Sequence, residues 1–469
     1  MQKFAINSLW EHSGNDKAIG NLVVENNEVY FDVNGKNNGR PDVFSTIHED
    51  LNIKVLTSGR ISEIDGVSRL NVKRVFKSNK NIILSEDCSI INIKEVVFEI
   101  RGLYAWMEVD TLSGEWSSDG KYFNIEIKDI SDISLFKNAD KAIDIIFKTQ
   151  LKDAFQNTST KISIERKPII RIIYFQEVDD KRVFEDIKNI SRFIGLLMGI
   201  LGYVDNVSMI DSNNHIYQSY YSHDFSYDLE NSKSNLLYGY YRFYYIGVQD
   251  RLMSLYAKWD SFINEDCDMS FLISVYFLLN SKREYLIEDK FLHYCRFLEG
   301  YSIRRDGNGD AISKSVIKNK LNVVLSNADA SETITNLKES LKELSFNEKY
   351  ATPAKISEAM TERILKGENL DFGQRIVIID NRYSNYLTEN YKRIRHFDIK
   401  CEPDSDLEKE ALIRKIVVTR NYYSHFKDDS DGILSLEEMI NTSNLLNKLI
   451  TKIILHEIGF NMGEILNKD

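Results

Sequence analysis

The sequence predicts an α+β chain of more than one domain: an antiparallel β-rich, sandwich- or barrel-like module first, then an all-helical bundle. Three observations carry this. The chain has 469 residues, more than one hydrophobic core usually organises. Up to about Phe175 the apolar residues recur mostly with a period of two, in short runs separated by Asn, Ser, Asp and Gly. From about Gln249 to the end they recur at helical spacing.

Within the first part, Val23-Val24, Asn26-Asn27 and the run from Val29 to Val33 read as a hairpin around an Asn-rich turn. Further strands are expected at Ile53 to Leu56, Leu70 to Phe76, Ile82 to Leu84, Ile90 to Ile100, Tyr122 to Ile127, Ile143 to Phe147 and Ile162 to Phe175. Pro168 inside the last run predicts an edge strand or a break, because proline cannot donate to a ladder. Trp106 is expected in the core, since large aromatics at strand ends usually pack. Val183, Ile187, Ile190, Phe193, Ile194, Leu197 and Ile200 then mark one amphipathic helix over 180–202. Val207 to Ile210 and His215 to Tyr221 read as a strand pair.

An aromatic tract follows, from Tyr217 to Tyr245. Such rings can stack on unpaired bases, or pack between modules. As cations, only Lys233 and Arg242 lie between its ends, with Arg242 alone set directly among the clustered rings, where a nucleic-acid platform would want several, so packing is the favoured reading. The expected divisions are a β-rich domain over 1–205, a connecting segment over 206–248 and a helical domain over 249–469.

In the helical part, Leu252, Leu255, Trp259 and Phe262 open the first helix, with others over Phe271 to Leu279 and Tyr285 to Tyr301. Arg304 to Asp310 reads as a loop, and later helices are expected near 313–326, 328–344, 353–366 and from Arg375 to Ile394. Pro403-Asp404-Ser405 is a good start signal for the next helix, and Ser435-Leu436-Glu437-Glu438 has the capping-box pattern for the last.

Composition narrows the function. Hydrophobic content of 43% and charged content of 28% are those of a soluble globular protein. A net charge of −11 argues against broad coating of nucleic acid, though a local basic cleft remains compatible with it. Cys88, Cys267, Cys295 and Cys401 show neither metal-ligand spacing nor a disulfide framework, which suits a reducing cytoplasm. The N-terminus lacks a signal peptide's apolar core, and the apolar run Phe193 to Val204 is too short for a bilayer. No membrane association is expected. The sequence Lys427-Asp428-Asp429-Ser430-Asp431-Gly432 is no calcium loop: with Gly432 at its sixth place, the first ligand would be Lys427.

The richest chemistry lies in Arg420-Asn421-Tyr422-Tyr423-Ser424-His425. On an ideal helix, residues five apart diverge by about 140°, so Arg420 and His425 pair poorly within one straight helix. They fit a helix end, or a symmetric interface where each complements the other's partner. The pattern Arg-Asn-x-x-x-His in a C-terminal helical domain resembles the signature of the HEPN superfamily of metal-independent ribonucleases. That resemblance implies that Arg420, Asn421 and His425 form the active site, with no metal and no cofactor. The residue types suit the reaction. Imidazole exchanges protons near neutrality, and guanidinium offers permanent charge and paired donors to a phosphorane.

Gly59-Arg60-Ile61-Ser62, Asn81-Ile82-Ile83-Leu84 and the patch Phe98 to Trp106 are similar, in their order, to landmarks of the ApeA-type N-terminal domain. In that family a β-rich module with a role in inhibiting phage is joined to a HEPN domain. The resemblance implies a cytoplasmic anti-phage endoribonuclease with a phage protein as trigger. Its substrate would be RNA, tRNA among the candidates, and it would be a homodimer or larger assembly through the HEPN bundle.

The basic cluster Lys392, Arg393 and Arg395 stands before the motif helix. It reads either as cations set against a helix C-terminus or as a phosphate-holding edge of an RNA cleft. A competing reading of the whole chain is a non-catalytic interaction protein, its bundle a dimerisation unit and its β module a protein-binding surface.

Overall fold

The computed structural model describes residues 4–12, 17–25, 28–34, 43–49, 51–64, 67–79, 92–109, 112–118, 123–128, 130–152, 163–200, 202, 204–221, 241–281, 285–306, 372–395, 405–425 and 432–466. The expected strand Ile82 to Leu84 and the helices near 313–326, 328–344 and 353–366 lie outside them.

Strands β1 (Phe4–His12), β2 (Lys17–Glu25), β3 (Glu28–Asn34), β4 (Val43–His48), β5 (Leu51–Ile64) and β6 (Val67–Asn79) pair in the order β6-β3-β2-β1-β4-β5. Because β5 also pairs with β6, these six antiparallel strands close into a barrel. Register shifts between β5 and β6 supply the bends that closure needs. Alternate residues point inward, and Trp10, Phe31 and Phe44 fill the interior, with ring centroids 4.9 and 4.8 Å apart. Gly20 is where the wall must be thin: a Cβ there would lie 2.6 Å from the Phe31 ring, and its carbonyl accepts the Trp10 indole N–H at 2.9 Å.

The long strand β6 hydrogen-bonds β3 with its first half and β14 (Ile216–Tyr221) with its second. It thereby joins the barrel to an open sheet of β7 (Ile93–Ile100), β10 (Ile133–Lys137), β11 (Lys141–Lys152), β12 (Ser163–Val178), β13 (Val204–Asp211) and β14, in the order β10-β11-β12-β7-β13-β14. A separate hairpin pairs β8 (Leu112–Trp116) with β9 (Phe123–Ile127). Pro168 corrects the expectation of an edge strand or a break. β12 is continuous and interior, but at Pro168 it pairs only with Phe147 of β11, and its ladder with β7 begins at Ile170. The missing N–H falls where no second neighbour exists.

Helix α1 (Leu103–Met107) caps this sheet, and α2 (Asp180–Met198) lies across it. Asp179 N-caps α2 by accepting from the Arg182 amide at 2.9 Å, and Gly199 ends it in the left-handed region at φ 76°. Between α2 and β11 a buried ion pair joins Lys141 and Asp186 at 2.6 Å; Tyr174 donates to the same carboxylate at 3.0 Å. The helical part comprises α3 (Leu252–Ile263), α4 (Cys267–Ser281), α5 (Ile287–Asp306), α6 (Phe372–Arg382), α7 (Tyr386–Arg395), α8 (Ser405–His425), α9 (Leu436–Glu457) and α10 (Met462–Leu466).

Two expectations here need correction. Arg304 and Arg305 are helical, not loop, because α5 runs on to Asp306; they are neutralised by Asp266, Asp268, Glu265 and Glu457 at 2.7–3.0 Å. The stretch Arg375 to Ile394 is two helices, broken where Ser384 and Asn385 adopt φ 59° and 56°. The Asp380 carboxylate caps the second by accepting from the Leu387 amide and the Thr388 hydroxyl, both at 2.7 Å.

One apolar core runs from the sheet through α2 into the helices. Of the described rings of the aromatic tract, Tyr217, Tyr241, Phe243 and Tyr245 are buried in it, while Tyr244 is exposed. The Trp106 indole donates to the Phe243 carbonyl at 2.6 Å, and the Phe243 ring stacks on Phe460 at 4.1 Å. Trp106→Ala should therefore destabilise the fold by about 3–5 kcal/mol, read by urea denaturation, since a fully buried ring and its hydrogen bond go together. An unchanged midpoint would contradict this packing.

Candidate active site

Helix α8 buries Leu412, Ile413, Ile416 and Thr419 against the bundle. Its C-terminal half is tied to the start of α9 in two ways, through Thr419 and through Lys415. The Thr419 hydroxyl accepts from the Leu434 amide at 2.8 Å, inside the core. Ser435 and Glu438 form the capping box anticipated above, so α9 starts at a fixed place. Lys415 then reaches Glu438 at 2.7 Å, and with that bond the Glu438 carboxyl is held below its ordinary pKa.

Arg420 sits on this braced segment and points at α5 and α6. It donates to Glu299 at 2.8 Å and to the Asn421 side-chain oxygen at 3.1 Å, with its guanidinium carbon 5.4 Å from the Phe372 ring centroid. Arg420 and Glu299 remain 23% and 30% exposed, so the pair lies at the surface of the bundle, open to a ligand. Asn421 thus orients Arg420. His425 is exposed, at the last residue of α8.

The helix is unbroken between Arg420 and His425, so the two side chains diverge as ideal geometry requires. The structure brings Arg420 and Asn421 together; within one chain His425 shares the helix face of Asn421, four residues on, and turns away from Arg420. Tyr422 and Tyr423 pack edge to face at 5.0 Å, and burial together with the Glu288 carboxylate raises the Tyr423 phenol pKa. Cys295 lies beneath this site, but burial raises its thiol so far that it is inert as a nucleophile.

Lys392, Arg393 and Arg395 fall in the last turns of α7, which packs against α8; their side chains lie outside the described residues. Glu299 and Phe372 were not anticipated. With 71 acidic residues in the chain, nothing in the sequence singles out Glu299, which is 121 positions from Arg420. A cleft of about 830 Å³ opens over β7 and β11–β14, on elements other than those carrying the motif. Among the described residues no group of three or more His, Cys, Asp and Glu side chains converges as a metal site, and no helix is long and apolar enough to cross a membrane.

Comparison with protein families gives two matches. Residues 36–259 match the ApeA N-terminal domain 1, and residues 292–464 match the Apea-like HEPN domain, which contains α8 and the motif. No curated protein and no solved structure matches the chain.

The Arg420–Glu299 contact is testable by itself. A double-mutant cycle with Arg420→Ala and Glu299→Ala, followed by chemical denaturation, should give a coupling of about 0.5–3 kcal/mol. Additive effects would mean that the pair does not hold Arg420 in place.

Proposed function

Since the chain belongs to the ApeA-like HEPN proteins, we propose that it is a metal-independent endoribonuclease of anti-phage defence, acting in the cytoplasm under the control of its N-terminal module. One observation carries this reading: the intact Arg420-Asn421-x-x-x-His425 set ends a braced helix, with His425 exposed and Arg420 at the surface. HEPN domains are commonly nucleases, and a scaffold has no need of this set.

The chemistry runs as follows. A base takes the proton of the ribose 2′-hydroxyl, whose oxygen attacks the adjacent phosphorus. The phosphorane collapses with departure of the 5′-oxygen, which takes a proton from an acid, leaving a 2′,3′-cyclic phosphate. His425 is the proton-transfer group, exposed to substrate and of a type that exchanges protons near neutrality. Arg420, fixed by Glu299 and Asn421, supplies permanent charge and paired donors to the phosphorane oxygens. Because α8 turns these two groups apart, a complete site takes Arg420 from one chain and His425 from a second in a symmetric dimer of the helical bundle. Lys392, Arg393 and Arg395, on the neighbouring helix end, would hold RNA phosphates.

His425→Ala should lower RNA cleavage by roughly 10²–10⁴-fold with the melting curve nearly unchanged, since an exposed residue contributes little to the core. Undiminished cleavage by this variant would remove the enzyme reading. Wild-type activity should also survive EDTA, and sequencing of the cut ends should find 2′,3′-cyclic phosphate or 3′-phosphate. A strict need for Mg²⁺ in the chemical step would contradict the mechanism.

A further inference from the structure

Taking RNA as the substrate proposed above, we infer that Arg414 is a phosphate-binding residue that leads the RNA strand to His425. On a helix that turns about 100° per residue, positions 414, 418, 421 and 425 fall within about 60° of one another. In α8 they are Arg414, Val418, Asn421 and His425, and the two ends of this stripe are exposed. Arg414 lies about 16 Å along the axis from His425, on the same side of the helix. A strand whose scissile phosphate meets His425 can continue along this face toward Arg414.

Of the other described cations of this helix, Lys415 is engaged away from this face, and Arg420 is held around the helix for the phosphorane itself. Lys415 is bound to Glu438 at 2.7 Å and Arg420 to Glu299 at 2.8 Å. The described arginines of the helical part repeatedly meet carboxylates of other elements, as Arg251 does Glu464, Arg304 Asp266 and Arg305 Glu265. Among the described residues no carboxylate of another element reaches Arg414. Glu410 stands four positions before it in the sequence of the same helix, and an i,i+4 ion pair is in general weak enough to yield to a phosphate, which takes two guanidinium bonds. In a chain of net charge −11, an outward-facing arginine on the face that carries the motif gives local attraction where the whole surface repels RNA.

The test measures binding separately from cutting. The full-length His425→Ala chain is titrated against an unstructured, fluorescein-labelled oligoribonucleotide over a series of KCl concentrations, alone and combined with Arg414→Ala, Arg414→Lys or Lys181→Ala. One lost phosphate contact should reduce the slope of log affinity against log salt by about 0.7, and weaken binding about fivefold at 0.1 M salt. Arg414→Lys should keep the slope, and Lys181→Ala, which removes an exposed charge on α2, should leave both quantities unchanged. Sedimentation is measured on every variant.

An identical slope with and without Arg414 would overturn the assignment, as would an equal loss in Lys181→Ala. It would equally be overturned by a loss that accompanies a change in sedimentation, or by no RNA binding in the parent chain. Wild-type cleavage of the same RNA separates the two readings. Cleavage with no Arg414 effect sinks the assignment alone. An Arg414 effect without any cleavage keeps Arg414 as an RNA contact and retires the proposed reaction.

Discussion

An α-helix advances about 100° per residue, and that constraint governs everything the motif can do. Helix α8 runs without interruption through Arg420 and His425, so one side chain turns toward α5 and α6 while the other turns to solvent. Glu299, Asn421 and Phe372 use the inward turn to fix the guanidinium. The outward turn leaves the imidazole accessible on a face it shares with Asn421 and Arg414. The proposed second chain follows from this division of roles.

Such a site works only if α8 cannot fray or rotate, and its surroundings resist both. Thr419 captures the returning chain inside the core, and the capping box of α9 fixes where that chain begins its next helix. Behind α8 the core continues through Phe460 and Phe243 to Trp106 and the N-terminal sheet. The β module and the motif helix therefore belong to one packed body. That continuity suits the proposed control of one by the other, because packed cores pass strain between elements.

Much of this was legible in the sequence, for reasons that are local. The β2–β3 hairpin announces itself by alternation around Asn26-Asn27, α2 by its apolar spacing, and α9 by Ser435 and Glu438, whose reciprocal bonds need only three residues between them. What stayed hidden depends on partners distant in sequence. The closure of β5 on β6 turns strands that read equally as sandwich or barrel into a barrel. Arg304 and Arg305 lie within α5, where acids of α4, α9 and the approach to α4 neutralise them. Ser384 and Asn385 break a helix through a left-handed backbone that non-glycine residues seldom adopt. At the proposed site, the motif points to Arg420, Asn421 and His425, but the carboxylate that holds Arg420 comes from a helix far upstream.

The sharing of one site between two chains is the claim on which the mechanism rests, and a mixed assembly tests it most directly. The Arg420→Ala and His425→Ala chains, each inactive alone, are co-expressed with different tags, and the doubly tagged assemblies are isolated and assayed for RNA cleavage. In a symmetric dimer, one of the two composite sites in each mixed pair has both groups, so these assemblies should recover about half the wild-type rate. Mixed dimers that form and remain as inactive as the parent variants would contradict the shared site.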